Sequence, residues 1–297
     1  MFHLPTQENR KTSTPTGSRS PLGCFVVCYI GKPPAGLEIF FKSCEKNPDY
    51  DFLIFTDCIH PELAPANVTI VQTTLQELAQ LASKTVGFEV ALHTPYKLCD
   101  FKVAYGAMFE SYLAPYDFWG TTDLDVVLGN ISIFISPEIL KHYDVINGHQ
   151  DYLVGHFTLY RNAPLLNTMF AQSKDYKRIY QTPECLSFGE CGGLWHEYRI
   201  RKESRYAEAN LDSTMHVIER LSDKGEIRTY FKTLVREREQ LHKTQWLLYW
   251  DNGRLYDVID DEEIMYFHFH LLGPQFEIPY WPNPPDQFYI NRFGFFT

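Results

Sequence analysis

The chain has 297 residues, a formal net charge of −10 and 44% hydrophobic residues. That length suits one large domain or two small ones, and that apolar share excludes wholesale disorder. The acidic balance disfavours nucleic acid as the main partner, because neutralising a phosphate backbone needs a basic surface; a single nucleotide needs only a local basic spot or a metal.

Residues 1–21 are rich in Ser, Thr and Pro without periodicity and read as a disordered tail. Next, "CFVVCYI" (24–30) reads as a buried parallel strand, "LEIFFKSCEKN" as a helix, and "DFLIFTD" (51–57) and "VTIVQT" (68–73) as two more strands. "LQELAQLASKTVG" (75–87) reads as an amphipathic helix closed by a glycine. The spacing predicts a further helix over Lys97–Leu113, with Leu98, Phe101, Tyr105, Met108 and Phe109 on one face. "DFWGTT" follows as a strand that delivers Asp123 and Asp125 to its end. This alternation is the grammar of an α/β fold, an open mixed sheet flanked by helices, whose ligands bind beyond the carboxyl ends of the strands.

The remainder is more irregular. It holds a strand-like "YLVGHFTLYRN" (152–162), a glycine-rich "FGECGG", a helix opening "LDSTMHVIERL" (211–221), a charged segment near 228–243 that reads as helical, and "EIMYFHFH". Residues 22–275 are expected to form one domain, and the aromatic, proline-rich 276–297 an extension packed on it. The seven cysteines show no CxxC and no zinc spacing, no signal peptide is apparent, and no apolar run nears the ~20 residues that span a bilayer. A reduced, cytoplasmic setting is the expectation, with peripheral membrane association left open.

The chemistry concentrates at "TDLDVV". Two like charges one residue apart repel, and a divalent cation or a hydrogen-bonded sugar relieves them. A loop acid pair capping the next turn explains the tripeptide equally well. So does the D-x-D nucleophile motif of a haloacid-dehalogenase-like phosphatase, with "VIDDEE" (258–263) as its distal acids, except that three strand candidates precede Asp123 where that motif should end the first strand. His268 and His270 alternate with aromatics, so on a strand both side chains point one way. Asp212 precedes a helix, where it serves either as an N-cap or as a general base. Gly155 allows close backbone approach beside His156.

The joined segment "PYKLCDFKVAYGAMFESYLAPYDFWGTTDLDVVLGNISIFI", with the later "GHFTLYRN", resembles the metal-dependent glycosyltransferases of the GT-A fold. Within them it resembles a bacterial family linked to polysaccharide biosynthesis, over about residues 24–275. The resemblance implies transfer of a sugar from a nucleotide-sugar, a UDP-sugar first, to a glycan or lipid-linked acceptor. It implies Mn2+ or Mg2+ on Asp125, and Asp123 on the metal or the sugar-nucleotide. It places Lys97 and Asp100 by the donor, Gly155 and His156 at the sugar pocket, and Asp212 as the catalytic base. The third ligand is implied to be a histidine: "HLLG" is similar to an H-x-x-G pattern that favours His270, whereas the "YFHF" register favours His268. The basic residue that often follows this histidine is missing from Leu271, Leu272 and Gly273. That departure keeps a catalytically degenerate nucleotide- or glycan-binding protein open as an alternative.

Overall fold

In the computed structural model, residues 21–200, 210–237, 241, 245–270 and 272–297 are described. β1 (Gly23–Tyr29), β2 (Tyr50–Thr56) and β3 (Val68–Gln72) are parallel neighbours. The pleat sends Cys24, Val26, Leu53 and Phe55 into one core and Phe25, Val27, Phe52 and Ile54 into another. Burial on both faces is why β1 and β2 read as near-continuous apolar runs, whereas Thr69 and Gln72 of the edge strand β3 are exposed. Helix Leu37–Glu45 covers the second face with Leu37, Phe40, Phe41 and Cys44. Helix Leu75–Val86 covers the first with Leu78 and Ala82. It starts at a Thr74–Glu77 capping box and ends at Gly87, whose φ of 81° suits glycine.

The next segment departs from the single helix expected. Residues Pro95–Ala104 form a 3₁₀ helix, followed by two short α-turns, Tyr105–Met108 and Glu110–Leu113. The expected face is nevertheless buried throughout. Side chains three apart eclipse in a 3₁₀ helix, and here that geometry aligns Lys97 with Asp100.

β4 (Phe118–Thr122) then returns to the free edge of β1, in parallel. β5 (Val126–Leu128) leaves this sheet, while β6 (Val145–Asn147), β7 (Phe157–Arg161) and β8 (Thr229–Phe231) extend it to the order β3-β2-β1-β4-β7-β6-β8. Only β7 runs antiparallel to its neighbours. The result is the α/β class the sequence suggests, an open mixed sheet with helices on both faces. Chain order runs outward from β1 to β3 and reverses between β1 and β4, where such sheets form a crevice beyond their carboxyl ends.

The described residues 229–236 of the segment near 228–243 are not the helix its charges suggest. Thr229–Phe231 is β8 and Val235–Arg236 is β9; residues 238–240 and 242–244 lie outside the described residues. Aromatic and β-branched side chains seat these strands, and Arg236 is neutralised by Asp257 at 3.0 Å. β10 (Leu247–Asp251), β11 (Arg254–Asp257), β12 (Glu262–Ile264), β13 (Tyr266–His268), β14 (Gln287–Asn291) and β15 (Gly294–Phe296) complete the chain. β13 lies between β5 and β9 in a three-stranded sheet; the other five form a second sheet, β12-β11-β10-β14-β15. Residues 276–297 thus supply β14 and β15, and Trp250 of β10 bonds the Leu128 carbonyl at 2.9 Å, joining that sheet to β5. No helix among the described residues is long and apolar enough to cross a membrane.

Candidate metal and donor site at the end of β4

Asp123, Leu124 and Asp125 form the step from β4 to β5. Leu124 is buried in the core, and the two acids part company. Asp123 forms a short ion pair through Oδ1 with Lys102, which comes from the 3₁₀ helix. The same ammonium donates to the Gly155 carbonyl at 3.1 Å. Burial pulls the Lys102 pKa down, but Asp123 outweighs it and holds the net value up, so the amine stays charged. Gly155 N–H donates to Glu190 Oε1 at 3.2 Å. A Cβ on Gly155 would lie 3.1 Å from Lys102 Nζ and 3.3 Å from Glu190 Oε1, so glycine leaves room for both groups. Burial raises the Glu190 carboxyl above its ordinary range.

Asp125 faces the histidines. β13 pairs antiparallel with β5, His268 opposite Val126, and this register carries the end of β13 to Asp125. Phe269 N–H donates to the Asp125 carbonyl at 3.0 Å. His270 Nδ1 lies 3.1 Å from Asp125 Oδ2, and His268 Nε2 lies 3.5 Å from Oδ1. The imidazoles stack at 5.6 Å and 7°, as expected for residues two apart in an extended segment. One carboxylate oxygen and two imidazole nitrogens therefore lie within 4.8 Å of one another. Burial alone would raise the Asp125 carboxyl; the bonds from His268 and His270 win and hold it far below the usual range. Burial would lower His268, yet Asp125 and Glu237 push it up to about 10.

Behind His268 stands Glu237, whose Oε2 is 3.2 Å from His268 Nδ1 and 3.5 Å from His156 Nε2. Burial would raise Glu237, but the His268 bond brings it to about 2. His156 stacks on His268 at 4.2 Å and 29°, and its Nδ1 lies 2.9 Å from the Tyr266 hydroxyl. Burial first, then the His268 charge, lowers His156 well below the normal histidine range.

Among the residues singled out from sequence, Asp123, Asp125, Gly155, His156, His268 and His270 gather here. Both histidines reach Asp125. Asp123 stands outside the three-atom set, its carboxylate engaged by Lys102 instead. Lys97 and Asp100 are fully buried and form an internal clamp. Lys97 Nζ donates to the Ile179 and Glu184 carbonyls at 2.8 and 2.7 Å, and Asp100 accepts from Leu186 and Phe188 N–H at 2.9 and 2.8 Å. They fasten the 184–188 loop rather than lining an open edge.

Asp212 sits in a different setting. Arg220 grips it with two bonds, of 2.6 and 3.0 Å, and Lys174 N–H adds a third at 2.8 Å. Burial opposes ionisation there, but Arg220 prevails and keeps the carboxyl below its usual range. The N-cap of the following helix, Thr214–Asp223, is Ser213, which shares a capping box with His216. Lys102, Glu190, Glu237 and Tyr266 are site neighbours to which sequence reasoning gave no role. The one available signal was the position of Lys102 on the helix feeding β4.

Fold and site together define a class: an open α/β sheet with an acid–histidine cluster at its carboxyl edge. A family model matches residues 25–297, and the chain belongs to that family, a family of unknown function (DUF6625). No curated protein matches. Among solved structures the chain is similar to mouse xyloside xylosyltransferase 1 in its apo form, at 8% identity and a TM-score of 0.42 over 86% of this chain and 100% of that one. It is also similar to the galactosyltransferase LgtC in complex with donor and acceptor sugar analogs, at 7% identity and a TM-score of 0.40 over 84% of this chain and 88% of that one. Likenesses this distant assign no residue a role.

Proposed function

We propose that the protein is a metal-dependent glycosyltransferase of the GT-A type, transferring a sugar from a nucleotide-sugar, a UDP-sugar first, to a hydroxyl of a glycan or lipid-linked acceptor. The observation that carries the reading is the meeting of Asp125 with His268 and His270 at the crevice where the strand order reverses. The sequence resemblance over 95–162 supports it independently.

The donor set fits a divalent cation. Asp125 supplies a carboxylate oxygen, and His268 and His270 add imidazole nitrogens. One oxygen with two nitrogens suits Mn2+ better than Mg2+, which favours oxygen and water. When bound, the ion supplies positive charge opposite a leaving diphosphate. Asp123 is fixed by Lys102 through Oδ1, and its Oδ2 has no hydrogen-bond partner among the described residues. In this reading that oxygen accepts from a hydroxyl of the donor. Lys102 holds Asp123 in place. Glu190 takes the proton-transfer role in place of Asp212, because a carboxyl raised by burial beside Gly155 suits a base better than one locked by Arg220.

The phosphatase alternative gains no support. Residues 258–263 belong to the turn between β11 and β12 and to the start of β12, in the five-stranded sheet, and Asp257 beside them is tied to Arg236. The reading is tested by thermal-shift screening of nucleoside diphosphates and nucleotide-sugars with and without Mn2+. Metal-dependent stabilisation by one diphosphate class is expected; no shift from any nucleotide sinks the proposal. Binding without donor turnover across a sugar panel favours the degenerate binding protein instead.

A further inference from the structure

The group behind the ligand set invites two readings. His156, Glu237 and His268 each offer a ligand-type atom within 4.8 Å of the others, so a second cation could be imagined there. That arrangement would use His268 Nδ1 while Nε2 faces Asp125, and bridging two ions requires an imidazole stripped of both protons. The hydrogen-bond pattern favours a protonic arrangement instead.

The protons can be followed from one end. The Tyr266 hydroxyl is buried, and its partner is His156 Nδ1 at 2.9 Å. If the hydroxyl donates, His156 carries its own hydrogen on Nε2, directed at Glu237 Oε2. The opposite tautomer would set a bare nitrogen lone pair against a carboxylate. Glu237 Oε2 thus faces His156 Nε2 at 3.5 Å on one side and pairs with His268 Nδ1, at 3.2 Å, on the other. Stacking of the two rings at 4.2 Å prevents either from turning away. His268 Nε2 is left pointing at the Asp125 side of the cluster.

We infer that Glu237 is a positioning residue for the metal site: with His156 and Tyr266 behind it, it fixes His268 in the Nδ1–H form so that Nε2 faces the ion. This inference rests on the metal reading proposed above. A carboxylate holding the far nitrogen of a metal-binding imidazole orients the ring and raises its basicity, and removing such a group costs about 10–100-fold in metal affinity. Glu237 is partly buried next to the cluster, with 14% of its side chain exposed, so the neighbouring hydrogen bonds are not freely replaced by water.

The test is calorimetric titration of the full chain with Mn2+ alone, wild type against Glu237→Gln, together with ¹⁵N NMR of histidine-labelled wild type. The expected result is a dissociation constant about 10–100-fold weaker in Glu237→Gln with the unfolding midpoint nearly kept. His268 Nδ1 is expected to carry a hydrogen-bonded proton in wild type. A purely structural role for Glu237 would move the midpoint and leave the affinity alone. Equal Mn2+ affinity in the two proteins, or a wild-type His268 with Nδ1 bare, overturns the inference. Should Glu237→Gln not fold, the NMR result on wild type decides. Wild type that binds no Mn2+ brings down the metal reading itself, whereas wild-type binding with undiminished Glu237→Gln binding removes only the role of Glu237.

Discussion

His270 Nδ1 lies 3.1 Å from Asp125 Oδ2 although 145 residues separate them. The contact is produced by strand register, because β13 pairs with β5 so that His268 falls opposite Val126. His270 is the exposed member of the set, with 50% of its side chain open, and Asp125 is its partner. His270→Ala is therefore expected to change folding stability by no more than about 0.5 kcal/mol, the range for surface substitutions. Mn2+ affinity should nevertheless fall at least tenfold, measured by titration against urea unfolding on the same samples.

Asp100 and Lys97 give the opposite pattern. Both side chains are wholly buried, and Asp100 also accepts two backbone N–H groups. Asp100→Ala leaves an unpaired ammonium in the core and should cost about 3–5 kcal/mol. Chemical denaturation reads this directly, and whatever folded protein remains should bind Mn2+ as wild type does. Lys102→Met is milder for stability, at most about 1 kcal/mol, because Asp123 is a third exposed and water screens it. Its main expected effect is on donor affinity rather than on metal affinity.

The paired charges set a pH window in the metal-free protein. His268 is raised from 6.5 to about 10, so its pairing stabilises fully below pH 6.5 and is lost as pH climbs through 10. Glu237 is lowered from 4.5 to about 2, so its contribution is present above pH 4.5 and lost as pH falls towards 2. Metal binding must displace the His268 proton, so Mn2+ affinity should rise steadily from pH 6 to 9. Urea midpoints across pH 5–10 and Mn2+ titrations at three pH values check both signs.

Asp212 and Glu190 divide the acid–base question. Asp212 is locked by Arg220, so Asp212→Asn should lower stability while changing kcat less than about threefold. Glu190→Gln should lower kcat at least about a hundredfold with KM for the donor nearly kept. Steady-state kinetics on the two variants, with the donor identified by the thermal-shift screen, distinguishes them.

The core of the fold was open to reading because its signals are local. β1 and β2 are near-continuous apolar runs, β3 keeps the β-branched Val68, Ile70 and Val71, and helix Leu75–Val86 carries its own capping box and terminal glycine. The segment at 228–243 misled because Arg236 and Glu237 look like a solvated helical face, while their real partners, Asp257 and the histidines, are distant in sequence. Lys97 and Asp100 misled for a related reason, since spacing of three is the same for a surface pair and a buried clamp. The acid pair drew notice as an electrostatic oddity, but no local pattern says that Lys102 takes Asp123 and that two histidines take Asp125. Such pairings follow from sheet register, which one sequence does not display.

The most direct measurement is an anomalous difference map from crystals grown with Mn2+ and UDP. One strong peak is expected about 2.2 Å from a carboxylate oxygen of Asp125 and from ring nitrogens of His268 and His270, with the diphosphate completing its shell. A bound UDP with no peak at these residues, or a peak on other ligands, would contradict the proposed metal site.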